Sequence, residues 1–359
     1  MMRAKFTRRL AAVAMLGSLL AVTFLAFPAN AITESQSFLT LAPGYTQELI
    51  SSGPGTVTGA AFAPNGDVWF TDCGGGHIFR VSLGTPAPPV HGSNLSTVGP
   101  AVAIPDGNGC GLVNHPNGSM YTNASAGVVR LNADTGAEIG TAYGPAGNEL
   151  GIAVDPVTNN VVYVAGDGSI RWVSPDFTSS GTFSAGPYSN VDGIYFDPSG
   201  AHLFMSERSD NHVVILDRTG AIVNSVAVGA PLDGMAFHAE NPQFLLTMNT
   251  NGTTSQLSFP GNDYTQTPTI TQFASGGFYG DIANVGPDGC LYASQLDGTR
   301  YQDGTTSGVG SIVRICGGFA APVGVATTTT TTTAAPTTTA PTTTAAAALA
   351  VAATPAFTG

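Results

Sequence analysis

Short apolar runs broken by Asn-Gly, Ser-Gly or Asp-Gly recur along the chain, and aligning them on a glycine ahead of each run exposes a repeat. Its copies read TGAAFAPNGDVWFTD from Thr58, CGLVNHPNGSMYTN from Cys110 and LGIAVDPVTNNVVYVA from Leu150. They continue as DGIYFDPSGAHLFMS from Asp192, DGMAFHAENPQFLLT from Asp233 and DIANVGPDGCLYASQ from Asp281. Most copies pattern as two strands around a tight turn, with glycine supplying the positive φ that such turns need. Two further strands usually follow, as in GVVRLNADTGAEIGTAYG and HVVILDRTGAIVNSVAVG, which alternate apolar and polar residues on either side of a turn.

The anchor positions Gly59, Gly111, Gly151, Gly193, Gly234 and Ile282 lie 52, 40, 42, 41 and 48 residues apart. That period matches propeller blades, and four antiparallel strands that expose two apolar faces must stack in a ring to bury them. The expected fold is therefore all-β, a six-bladed β-propeller of four-stranded antiparallel blades. No convincing amphipathic helix interrupts the pattern, and 46 glycines suit a chain built of turns. The sixth copy is short of an outer strand. TQELISS, residues 46 to 52, is the segment expected to supply it and cover the open edge.

The blade model also orders the four cysteines. Cys290 opens the second strand of blade 6 and Cys316 ends the third, so antiparallel pairing brings them together. Cys73 follows the second strand of blade 1 and Cys110 precedes the first strand of blade 2, on the same face. Cys73 with Cys110 and Cys290 with Cys316 are the expected structural disulfides.

The ends of the chain read differently. Residues 1–31 place Arg3, Lys5, Arg8 and Arg9 ahead of an apolar run that closes on Ala29-Asn30-Ala31, the pattern of a secretory signal peptide cut after Ala31. The propeller then spans 32–325. Residues 326–359 are a Thr/Pro/Ala tract without a charged side chain, expected to be a disordered and often O-glycosylated stalk. Its final PAFTG is similar to a sortase sorting signal, in degenerate or truncated form, which implies attachment to a cell wall. Beyond the leader, seven arginines face 23 acidic residues, a formal charge of −16. Such a surface repels phosphate backbones and anionic lipid, so nucleic acid and membrane insertion are not expected, while cations and neutral ligands are favoured.

With six blades in view, GIAVDP, DGIYFDPSG and VGPDGCLYASQ resemble the gluconolactonase/regucalcin superfamily and the NHL-type propellers; VWFTD is similar to streptogramin lyases. The resemblance runs from about Tyr45 to Cys316 and implies a divalent metal in the central channel. Carried over residue by residue, its Asn-Gly and Asp-Gly elements fall on Asp192 and Asp233. The residue before each anchor sits at the channel mouth, which adds Asp281 and would aim three carboxylates at one volume. Oxygen-only ligands suit calcium or magnesium, and no organic cofactor is implied. The rest of the ligand set does not transfer: Thr58 stands at the expected glutamate, and Cys110 or Leu150 where an asparagine belongs. Asn148, Glu149, Asp106 and Asn108, in the loops leading to those strands, are the candidate substitutes. The alternative for the aspartates is an Asx turn, each carboxylate bonded to backbone amides.

Three functions follow. The first is a secreted, cell-surface-displayed, monomeric binding module for a protein, carbohydrate or small molecule. The second is a calcium-dependent hydrolase or lactonase working in the channel, and the third a streptogramin lyase-like enzyme. Asp155 and Asp197 are expected to cap turns at the opposite face, with His115 and His238 at the same point of their own repeats.

Overall fold

The computed structural model describes residues 37–52, 56–82, 99–107, 109–237, 244–301 and 304–317. Residues 1–31, expected to be a leader, and the tract 326–359 lie outside the described residues.

Six antiparallel sheets form a six-bladed propeller. Blade 1 runs from its inner strand Val57–Phe62 through Val68–Asp72 and His77–Val81 to a two-residue edge, Val102–Ala103. Blade 3 comprises Gly147–Val154, Val161–Ala165, Ile170–Val173 and Ser180–Ser184. Blade 4 comprises Val191–Phe196, His202–Glu207, His212–Asp217 and Ile222–Ala227. Each inner strand abuts the next around the axis, and Gly280–Val285 of blade 6 abuts Val57–Phe62 of blade 1, so the ring is closed. Among the described residues the only helical element is a single 3-10 turn, Pro260–Asn262.

The apolar pattern of the repeat is explained by what lies between sheets. Six buried clusters occur, one in each gap between neighbouring blades. Tyr121, Ile152 and Tyr163 fill the gap between blades 2 and 3, for example, and Phe62, Phe70, Tyr292 and Ile312 the gap where blade 6 meets blade 1. Burying side chains of this size contributes about 1.5 to 3 kcal/mol each. No blade can bury both of its faces without its neighbours.

The N-terminal strand closes the ring as expected. Thr46–Ser52 pairs with Ser311–Cys316, from Thr46 opposite Cys316 to Ser52 opposite Ser311, and so becomes the outer strand of blade 6. A second edge has no counterpart in the sequence pattern: Thr40–Leu41 pairs with Ser275 and Ala274 as a fifth strand on blade 5. Two residues are too few for a periodic signal. Blade 2 departs from expectation in the other direction, since GAEIGTAYG forms only the bridges Leu131 to Glu138 and Val128 to Tyr143 beside a three-stranded sheet. Gly140, at φ 81°, breaks the extended backbone between those bridges.

Both disulfides form as paired above, Cys73 with Cys110 and Cys290 with Cys316, with Cα separations of 4.6 and 4.4 Å. Cys290 and Cys316 lie directly opposite each other in the ladder, while Thr46 lies on the other side of Cys316. Replacing both by serine is expected to lower stability by about 3 kcal/mol, because a loop 26 residues long is then free in the unfolded chain. A urea midpoint unchanged from the parent would contradict that role.

Candidate functional site

In every blade the ladder between first and second strands slips at the anchor: between Val57 and Ala60, Gly109 and Leu112, Gly147 and Ile152, Val191 and Ile194, Leu232 and Met235, Gly280 and Ala283. The residue pairs 58–59, 110–111, 192–193, 233–234 and 281–282 are therefore bulges, which release their backbone from the sheet and re-aim their side chains. A hydroxyl from the second strand takes up the freed groups. Gly59 N donates to Thr71 Oγ1 (2.9 Å) and Gly193 N to Ser206 Oγ (2.7 Å). Thr122 Oγ1 donates to Gly111 O (2.6 Å) and Ser294 Oγ to Ile282 O (2.7 Å). This recurring Ser or Thr is visible in VWFTD, SMYTN, LFMSE and CLYASQ, but only the bulge gives it a meaning.

The anchor glycines are needed for close approach. A Cβ on Gly59 would collide with the carbonyl oxygen of Cys110, one on Gly111 with that of Leu150, and one on Gly234 with that of Asp281. On Gly151 and Gly193 it would stand 3.2 Å from the carbonyl oxygens of Asp192 and Asp233. Each inner strand thus nests against the bulge of the next, tightly enough to narrow the axis.

Asp192, Asp233 and Asp281 occupy three successive bulges and are brought together, with residue exposures of 1%, 2% and 4%. Asp233 occupies the middle bulge of the three and is acted on by the charges of both neighbours. The positive charge comes from Arg208, on the loop after the second strand of blade 4. Its guanidinium lies 3.3 Å from Asp192 Oδ2 and 4.0 Å from Asp233 Oδ2, and rests on the ring of Tyr279 at 5.3 Å. One cation faces three acids. Burial pushes the Asp192 carboxyl up; burial with the charges of Asp281 and Asp192 pushes Asp233 well up. Burial together with the Asp192 charge pushes Asp281 up to about 7. The cluster therefore holds protons near neutral pH.

The Asx-turn reading holds at one of these aspartates at most. Asp281 Oδ1 accepts from Ile282 N at 2.7 Å, but the Oδ1 atoms of Asp192 and Asp233 are buried with no hydrogen-bond partner among the described residues, so the Asx turn fails at both. Among the described residues no group of three or more His, Cys, Asp or Glu side chains is disposed to hold a metal ion. Arg208 supplies one positive charge to Asp192 and Asp233 from within the chain. The two orphaned oxygens are the one feature that suits a bound ion.

The substitute ligands are engaged elsewhere. Asn148 donates to Val191 O (2.6 Å) and accepts from Asn123 and Leu150 N, tying blades 2, 3 and 4 together. Asp106 accepts from Ala142 N through its carboxylate, and its backbone N donates to Glu138 Oε2 (3.4 Å). Glu149 lies on the inner strand of blade 3 with its side chain outside the description, and Asn108 lies outside the described residues. Thr58 bonds to Thr71 Oγ1 and Cys110 O.

The turn-capping residues behave as expected. Asp155 accepts from Val157 N and Thr158 Oγ1, and its carboxylate is gripped through two nitrogens of Arg218, each at 2.7 Å. Asp197 accepts from Ser199 N and from His202 N. His115 receives Asn117 N on Nδ1, while its Nε2 lies 2.7 Å from Asn159 O. His238 lies outside the described residues.

The other end of the axis is different in kind. A cavity of about 130 Å³ opens among Phe62, Ile152, Val154, Phe196 and Phe237, near the C-terminal ends of the inner strands. Tyr195, with Val113, Ile152, Ile194 and Asn284, lines both this cavity and the narrow space beside Asp192 and Gly193.

No family model and no curated protein matches the chain, whereas many solved structures share its fold. A putative oxidoreductase (glucose dehydrogenase) from Thermus thermophilus is 17% identical, with 76% of this chain aligned to 100% of that one at a TM-score of 0.56. Regucalcin, a calcium-binding protein from Agrobacterium tumefaciens, is 14% identical over 78% of this chain and 97% of its own, with a TM-score of 0.54. A gluconolactonase from Xanthomonas campestris is 12% identical over 77% and 91%, also at 0.54. At these identities the likeness establishes the propeller architecture and no particular activity.

Proposed function

We propose that the chain is a secreted, non-catalytic binding module, carried on its Thr/Pro/Ala tract at the cell wall and working as a monomer. The observation that supports it best is the enclosure of the acid cluster. Carboxylates buried to this degree and already paired with Arg208 offer no open face to a substrate carbonyl or its attacking water. Its ligand is a protein, a carbohydrate or a small molecule, and the charge of the chain disfavours nucleic acid.

A calcium-dependent hydrolase is the second reading, favoured by the orphaned oxygens of Asp192 and Asp233 and by the likeness to regucalcin and gluconolactonase. Thermal melts with calcium, magnesium or chelator separate the two. A native-state ion at about 100 times its dissociation constant stabilises by roughly 2.7 kcal/mol, enough to move the melting temperature by several degrees. The binding-module reading expects coincident melts in all three conditions, in the parent and in Asp192→Ala. A calcium-induced rise that Asp192→Ala abolishes, accompanied by lactone hydrolysis, would replace it with the second.

A further inference from the structure

We propose that the apolar end of the axial channel is a ligand site for a small, neutral ring compound carrying a hydrogen-bond donor. The inference rests on the binding-module reading and deepens it by naming a ligand class.

Three properties of the cavity select that class. Its size, about 130 Å³, is the scale at which apolar protein cavities take up a single aromatic ring. The walls include the rings of Phe62, Tyr195, Phe196 and Phe237, and such faces favour stacked or edge-on contact with another ring.

Charge is the second property. No lining residue carries a charge at neutral pH; Tyr195 is the one ionisable group, and burial pushes its phenol far up. A charged ligand would surrender its hydration without meeting a counter-ion, so the site discriminates against anions and cations alike.

Polar geometry is the third. Asn114 donates to Phe62 O (2.6 Å) and accepts from Phe62 N (2.7 Å), clasping blades 1 and 2, so both its nitrogen and its oxygen are engaged. Asn284 is only half used. Its Nδ2 donates to Ala60 O and to Leu112 O (2.9 Å), which fixes the amide across the axis, while no donor among the described residues reaches its Oδ1. A lining residue with a fixed amide and a free acceptor calls for a donor on the ligand. The aspartates take no part, because none of the three lines the cavity.

The test uses the full chain, titrated with phenol, toluene and benzoate at millimolar concentration and followed by NMR. Phenol is expected to bind saturably, toluene about tenfold more weakly for want of the hydrogen bond, and benzoate not at all. Intermolecular NOEs should connect phenol to the methyl groups of Ile152 and Val154. Ala153→Phe, which fills the cavity, should abolish binding in a protein that still melts cooperatively; should that variant not fold, the NOEs on the parent decide alone. The proposal is overturned by absence of saturable phenol binding, by NOEs to another surface, or by benzoate binding as well as phenol. Such a result leaves the binding-module reading in place with its ligand elsewhere. Failure of that reading shows itself separately, as calcium-dependent hydrolysis.

Discussion

Gly111→Ala is expected to prevent folding, or to cost at least about 4 kcal/mol, although it adds a single methyl group. The new Cβ would sit on the carbonyl oxygen of Leu150 and 2.8 Å from Cγ2 of Ile152, both on the inner strand of the next blade. Backbone cannot step aside as a flexible side chain does. Moving Leu150 outward strains its own bulge, which Asn148 holds through Leu150 N, and widens the ring at a point where every other gap is already filled. Gly118→Ala is the control. Gly118 has φ 80° but nothing within 4 Å of its missing Cβ, so its replacement carries only the backbone penalty, about 1 kcal/mol. Urea unfolding of the two variants beside the parent reads the difference. Equal losses for both would mean that the anchor glycines serve conformation and not the close approach of blades.

That contrast shows how far the sequence carries. The spacing of the anchors revealed the blades, and the alternation around Asn-Gly and Asp-Gly turns revealed the hairpins, because each signal is local and repeated. Closure by residues 46 to 52 and both cysteine pairings followed from the blade geometry alone. The site was legible only in part. That Asp192, Asp233 and Asp281 share one volume could be read from their common place in the repeat. What neutralises them could not, because the corresponding loops of the other copies carry no arginine at the position of Arg208, which reaches the cluster only through the fold. The partners of Asn148 and Asp106 were hidden for a related reason: proximity in sequence to a strand does not say which neighbouring backbone a side chain bonds. The half-used amide of Asn284 is likewise a property of three strands, not of one.

The acid cluster gives the second large effect, a loss of stability as pH rises from about 4 through about 7. All three carboxyls are pushed upward in the fold, Asp281 to about 7 from an ordinary value of 3.8. The native protein thus holds protons that the unfolded chain has already released. Their contribution is complete below about pH 4 and disappears as pH climbs through 7, a change on the order of a few kcal/mol. Carboxylates held below their usual range act with the opposite sign. Asp155, gripped by Arg218, loses its contribution only as pH falls below the normal carboxylate range, so it stays out of the window. Asp233→Asn removes the central acid while keeping a donor toward Asp192. It is expected to flatten the profile, gaining roughly 2 kcal/mol over the parent near pH 8 and little near pH 5. Arg208→Met should do the reverse, destabilising more at the alkaline end, where the ionised carboxylates have lost their cation. Urea midpoints across this range measure all three proteins without adding salt. Parallel profiles for the parent and Asp233→Asn would show that the three acids do not share protons, and the charge balance described for the axis would then be wrong.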